Sequence, residues 1–324
     1  MNSLIIPVFM NSENIPNLIK ALKEMARKIT NLEVVFVVDG SPDSSAILLK
    51  QLLPDSGLQA QLLILSRNFG SFSAIRIGLK AARGQRFSVM AADLQEPPEL
   101  ICTFFNTLEN EPVDIVIGTR EARSDPWGTR VASGIFWKLY STFVVPEMPV
   151  GGVDVFGCNQ LFRDHLVEME ERHSSLIALL FWMGFRKKII YYNRLSRING
   201  KSAWTFSKKY NYLKDSVFSF TDLPVRLLTW VGILGVLISI LFGLIILLSQ
   251  LSGFVIVPGY SSTILTIIFF GALNLIGLGI IGTYAWRTYE NTKGRPLAIC
   301  MDKLDFSNFD KINNIIKKEE NLSA

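Results

Sequence analysis

From Met1 to about Phe220, short apolar runs alternate with longer stretches that are apolar along one side. Leu4 to Val8, Val34 to Val38, Leu62 to Leu65 and Phe87 to Met90 are apolar without alternation, as strands buried on both faces are. Between them, Ile15 to Ile29, Ala46 to Leu53 and Ser71 to Ala82 read as helices. This β-α-β-α rhythm predicts an α/β domain with a largely parallel sheet covered on both faces. Ligands of such sheets bind beyond the carboxyl ends of the strands. The segments that follow the runs therefore matter most: Pro7 to Glu13, Asp39 to Asp43, Arg67 to Gly70 and Asp93 to Glu96.

The pattern changes after residue 226. Leu227 to Gln250 and Ile264 to Trp286 carry no charged side chain, and each is long enough to cross a hydrocarbon core of about 30 Å at about 1.5 Å per residue. Buried helices of a large soluble core are the alternative. Composition agrees with two spans, since 49% of residues are hydrophobic and 19% charged, with a mean hydropathy of +0.31. The connection Leu251 to Thr263 has no Lys or Arg, whereas Arg226, Arg287, Lys293 and Arg295 flank the spans. Basic flanks are cytoplasmic flanks. The expected organisation is a cytoplasmic α/β domain over 1–205, a juxtamembrane amphipathic segment over 206–226, spans at 227–250 and 264–286, and a cytoplasmic tail over 287–324. His173 to Phe185 and Trp204 to Phe220 mix aromatic and basic residues as interfacial helices do, with packing on the soluble core as the alternative. The opening MNSLIIPVFM lacks the features of a signal peptide and reads as a strand.

Several chemistries lose support. Pro7-Val8-Phe9, and no G-x-G-x-x-G, follows the first strand, and no Walker-type loop or H-E-x-x-H occurs. Cys102, Cys158 and Cys300 have neither metal nor disulfide spacing. The net charge of +5 is explained by a surface facing anionic lipid, and no nucleic-acid partner is expected. Asp39-Gly-Ser-Pro-Asp43 is ordinary turn chemistry when taken alone, yet Asp39 can also accept hydrogen bonds from a base or ribose. Asp93 and Gln95 can present oxygens to one hard cation completed by diphosphate and water.

In order and spacing, IIPVFMNSENI, VVDGSPDSS, LSRNFGSFSAIRIGL, ADLQEPPE, VIGTR, GGVDVF, RINGKSAW and YENTKGRP resemble the family 2 glycosyltransferases of GT-A type. Within them the chain is similar to the polyprenyl-phosphate branch, which includes bactoprenol glucosyltransferases and dolichyl-phosphate mannose synthases. The resemblance covers nearly the whole chain. It implies a Rossmann-like GT-A catalytic domain followed by a two-helix transmembrane hairpin, in an inner (plasma) membrane. It also implies an inverting transfer from a UDP- or GDP-sugar onto undecaprenyl or dolichyl phosphate at the cytoplasmic face, supplying lipid-linked sugar for cell-surface glycan or lipopolysaccharide modification. Pro7, Phe9, Glu13, Asp39 and Asp93 would line the nucleotide pocket. Asp93 and Gln95 would hold Mg2+ or Mn2+. Arg120, Arg130 and Ser133 would meet the acceptor phosphate, Arg197, Lys201, Ser202 and Trp204 would close over diphosphate and lipid head, and Asp154 would be the catalytic carboxylate.

The acceptor is a phosphate monoester with a second pKa near 6, so it is already largely anionic at neutral pH and needs no strong base. Asp154 would orient it or take a residual proton; a capping or turn aspartate is the plain alternative. Two departures stand out: Val38 and Ala91 occupy places where the family usually has aspartate. They predict weaker cation binding, and they favour a non-catalytic nucleotide-sugar-binding membrane protein as the competing reading. A processive polysaccharide synthase is the other, but it would need a Q-x-x-R-W motif and more spans. Homo-oligomerisation is left open.

Overall fold

The computed structural model describes residues 1–121, 141–142, 145, 147–149, 152–171, 174–195, 215–252 and 259–307. Strands β1 (Asn2–Val8), β2 (Leu32–Val38), β3 (Gln59–Leu65) and β4 (Arg86–Val89) pair in parallel in the order β4-β1-β2-β3. Helices α1 (Ile15–Lys28), α2 (Ser45–Leu52) and α3 (Ser71–Ala81) link them. Every residue of β2, and all of β1 but Pro7, is buried, which is why their sequences do not alternate. Phe36, Phe87 and Phe104 are fully enclosed, each worth about 2–3 kcal/mol of transfer free energy. Gly78 lets α3 lie on the sheet, since a Cβ there would stand 2.5 Å from Ile5 Cγ2.

After α4 (Pro98–Asn110), the chain adds β5 (Ile115–Arg120), β6 (Val155–Asn159), α5 (Gln160–Glu168), α6 (Leu176–Trp182) and β7 (Lys187–Tyr192). β6 lies between β4 and β5 and runs antiparallel to both, while β7 pairs in parallel with β5. The full order is β7-β5-β6-β4-β1-β2-β3-β8. This is the mostly parallel α/β sheet that the apolar runs predict.

The last strand is the addition that the sequence pattern does not announce. β8 (Cys300–Asp305), from the segment expected only as a tail, pairs antiparallel with β3 at the far edge. Ion pairs fasten it: Lys50 Nζ meets Asp302 Oδ2 at 2.7 Å, and Arg83 pairs with Asp305. The Arg83 backbone N–H in turn donates to buried Glu33 at 2.8 Å. One compact unit therefore comprises Met1–Glu171, Ser175–Phe206 and Pro296–Ala324, and the second comprises Arg172–Ser174 and Ser207–Arg295.

The second unit is built on α7 (Leu223–Leu251) and α8 (Tyr260–Thr292). Both are long and apolar enough to cross a membrane: Leu223–Phe242 has a mean hydropathy of 2.2 with none of it buried, and Phe269–Thr292 one of 1.4 with 6% buried. The core helices of a soluble domain would be covered by protein. Residues 215–220 are helical, and Arg287 of α8 donates to Asp215 at 2.6 Å within this unit. Lys293 stacks over Trp286 and Tyr289, an aromatic and basic girdle of the kind found at membrane interfaces. A G-x-G-x-x-G string does occur at residues 277–282, but inside α8 with no strand before it, so it is no dinucleotide fingerprint.

Candidate active site

The carboxyl ends of β1 and β2 are knitted together by carboxylates. Buried Asp39 directly follows β2 and accepts from two backbone N–H groups, Phe69 at 2.7 Å and Gly70 at 2.9 Å. Gly40 makes this closure possible: its φ is +55°, and a Cβ there would lie 2.2 Å from the Arg67 carbonyl carbon. Asp43 accepts from Ser12 N at 2.9 Å, Ser45 N at 3.1 Å and Ser41 Oγ at 2.6 Å. Burial works against its charge, but these hydrogen bonds outweigh it and hold the carboxyl well below the usual carboxylate range. Pro7 is half-buried in β1, Phe9 is half-buried just beyond it, and Glu13 is exposed in a 3-10 turn. The bonds of Asp39 and Asp43 are those of the turn reading, and they set the two carboxylates at the carboxyl ends of β1 and β2, where the nucleotide-pocket reading expects them.

After β4 the chain turns sharply, with Leu94 at φ +54°. Asp93 is 8% exposed, and its Oδ1 accepts from Gln95 N at 3.4 Å. Gln95 Nε2 donates to Leu195 O at 3.3 Å, and Leu195 N returns a 2.9 Å bond to Gln95 O. The amide nitrogen is thus engaged, and its carbonyl oxygen is the atom of that side chain suited to a cation. Among the described residues no three His, Cys, Asp or Glu side chains gather as a metal cage. A cation here would take the Asp93 carboxylate and the Gln95 oxygen and complete its shell from a diphosphate. Such hard, oxygen-only donors fit Mg2+ or Mn2+.

The third group sits at the ends of β5 and β7 and the start of β6. Arg120 grips Asp154 with both prongs, Nε to Oδ2 at 2.5 Å and Nη2 to Oδ1 at 2.7 Å. Tyr192 Oη donates to the same Oδ2 at 3.1 Å. Asp154 does not cap the following helix; the Asn159 side chain does, accepting from Phe162 N. Burial opposes the charge on Arg120, yet its bonds to Asp154 raise its affinity for the proton. Burial, the Asp154 and Glu96 charges and the bond to Asp154 push the Tyr192 phenol far up, so it stays a donor.

Three residues outside the predicted set complete the constellation. Glu96 is 1% exposed, accepts from Ala91 N at 3.1 Å, and faces Arg194 Nη2 at 3.8 Å. Burial pushes its carboxyl up to about 7; Arg194 opposes this, and the Asp93 and Asp154 charges add to it. Tyr192 and Arg194 are the other two. ADLQEPPE contains Glu96 and so offered a signal, whereas nothing local marks Tyr192 at the end of β7 or Arg194 just beyond it. Asp93, Gln95, Glu96, Arg120, Asp154, Tyr192 and Arg194 are thus linked by contacts or mutual charge. Arg130, Ser133, Arg197, Lys201, Ser202 and Trp204 lie outside the described residues.

Residues 3–169 match the family model described as Glycosyl transferase family 2. The chain belongs to that family. This family 2 glycosyltransferase is 32% identical over 318 residues to an uncharacterised glycosyltransferase of Synechocystis sp., covering 96% of this chain and 98% of the relative. It is 30% identical over 296 residues to a prophage bactoprenol glucosyl transferase homolog of Escherichia coli, covering 91% and 96%. The bactoprenol glucosyl transferase of Shigella phage SfX matches at the same identity and coverage. Among solved structures, glucosyl-3-phosphoglycerate synthase from Mycobacterium tuberculosis, in complex with Mn2+ and UDP-glucose, superposes with a TM-score of 0.47 at 14% identity, over 68% of this transferase and 77% of that chain.

Proposed function

We propose that this transferase moves a sugar from a UDP- or GDP-sugar onto a polyprenyl phosphate at the cytoplasmic face of the inner (plasma) membrane, with inversion at the anomeric carbon. The observation that carries the reading is the return of β8. The chain passes from the catalytic unit through two apolar helices uncovered by protein, and comes back to pair with β3. A strand within the catalytic sheet must be on the same side of a membrane as that sheet, which requires an even number of crossings. The basic flanks at Arg226, Arg287, Lys293 and Arg295 favour the cytoplasmic side. Relatives named as bactoprenol glucosyl transferases support a polyprenyl phosphate as acceptor.

The residues divide the work. Asp39, Pro7 and Phe9 line the side that would receive the nucleotide. Asp93 and Gln95 would hold the divalent cation, which when bound neutralises charge on the departing diphosphate. Arg120 carries the cationic fork that suits an acceptor phosphate. Asp154 stands against it, placed to orient the acceptor oxygen or take its residual proton. Positioning two anions together supplies most of the rate in such a scheme. The product would be a lipid-linked sugar for use on a cell-surface glycan.

Membranes containing the protein, incubated with radiolabelled UDP- and GDP-sugars, should pass mild-acid-labile label into the organic phase. Label that stays aqueous with every donor tested overturns the acceptor assignment.

A further inference from the structure

Asp154 is held by three donors of two kinds. Two come from the Arg120 guanidinium, a cation for which any phosphate competes. The third comes from Tyr192, a neutral phenol whose residue is 6% exposed, whereas the Arg120 side chain is 25% exposed. Both donors stand at the ends of neighbouring parallel strands, where Arg120 is the register partner of Tyr192. They therefore reach the carboxylate from adjacent positions on a rigid sheet.

We propose that Tyr192 is a positioning residue that keeps the Asp154 carboxylate aimed at the acceptor when the acceptor phosphate draws Arg120 away. The inference rests on the reading of Arg120 and Asp154 as acceptor-side groups. A phosphate monoester carries up to two negative charges and accepts a guanidinium fork in the same two-pronged way as a carboxylate. On binding it takes over the two Arg120 bonds, and Asp154 is left with one donor out of three. Without that donor, the carboxylate would be free to turn toward water. The Tyr192 bond prevents that rotation. The Tyr192 residue is buried and carries no charge, so the incoming anion is drawn to the guanidinium rather than to it. The resting ion pair and the working arrangement thus share one fixed contact, and only the guanidinium changes partner.

The test uses the full-length protein in lipid nanodiscs, with undecaprenyl phosphate and a nucleotide-sugar that the parent transfers. Tyr192→Phe removes only the hydroxyl. Its kcat should fall by about 10- to 100-fold, the scale of a hydrogen bond to a charged group, with the acceptor KM nearly unchanged. In the Asp154→Asn background the same substitution should cost at most about twofold, because the oriented carboxylate is already gone. An unchanged kcat in Tyr192→Phe, or an equal fall in both backgrounds, overturns the positioning role. Parent-like turnover in Asp154→Asn instead overturns the catalytic assignment of Asp154, and Tyr192 with it. If the parent transfers sugar to another phosphate acceptor, the polyprenyl reading fails while the same comparison, run on that acceptor, still decides the role of Tyr192. Calorimetric titration of nucleotide, equal in all variants, excludes misfolding as the cause of any fall.

Discussion

The two halves of the catalytic sheet hold their carboxylates in different ways. On the β1 to β3 side, Asp39 and Asp43 are bound by backbone N–H groups of neighbouring loops, together with serine hydroxyls. On the β5 to β7 side, Asp154 is bound by a guanidinium and a phenol. Backbone donors cannot leave without unfolding their loop. Guanidinium donors can move to another anion. The first half is thus a preformed cradle, whereas the second holds its carboxylate with a donor that can exchange partners, as the proposed acceptor phosphate would require.

The largest expected effects test whether the two halves have separate tasks. Asp154→Asn should lower turnover by about 10²- to 10⁴-fold while calorimetric nucleotide affinity stays at the parent value. Asp93→Asn should also abolish transfer, but with weakened metal-dependent nucleotide binding that added Mg2+ or Mn2+ does not fully restore. Equal loss of nucleotide binding in both variants would erase the division.

Next in size is exchangeability itself. Arg120→Lys keeps the charge but loses the fork, so the acceptor KM should rise by about 10-fold or more with a smaller change in kcat. Steady-state kinetics against acceptor concentration measure this split, and a pure kcat effect would mean that Arg120 serves only to hold Asp154.

The cradle should reveal itself in stability. Asp43→Ala should lower folding stability by about 1–2 kcal/mol, readable as a lower melting temperature of the detergent-solubilised protein. Because the Asp43 carboxyl is depressed in the fold, its contribution is fully present above the unfolded value of about 3.9 and is lost as pH falls below it. The parent should therefore lose melting temperature more steeply than Asp43→Asn between about pH 5 and pH 3. The smallest effect concerns Ala91. Ala91→Asp keeps the backbone N–H that binds Glu96 and restores a charge beside Asp93, so apparent Mn2+ affinity should tighten by a few-fold in a titration of activity.

Much of the cradle was legible because it depends on local order. Unbroken apolar runs located β1 to β4, and the residues just past them included Asp39 and Asp93. Asp154 and Arg120 were legible through the resemblance alone, since their contact joins residues 34 apart in sequence. Tyr192 and Arg194 were not, because each acquires its role from a carboxylate on another strand or loop. The reversed β6 and the added β8 escaped for a related reason. An antiparallel strand inserted by tertiary pairing leaves no mark in the period of its own residues, and the exposed, charged CMDKLD of β8 resembles a surface loop.

β8 also sets a timetable for biogenesis. β3 is complete once residue 65 has been made, but its edge partner starts at Cys300. At about 5–20 residues per second, synthesis leaves that edge open for on the order of ten to fifty seconds, while both apolar helices are made. An open, apolar strand edge is a template for unwanted pairing. The newborn catalytic sheet therefore passes its most aggregation-prone interval while the two long apolar helices are being made, and becomes closed only when the chain comes back.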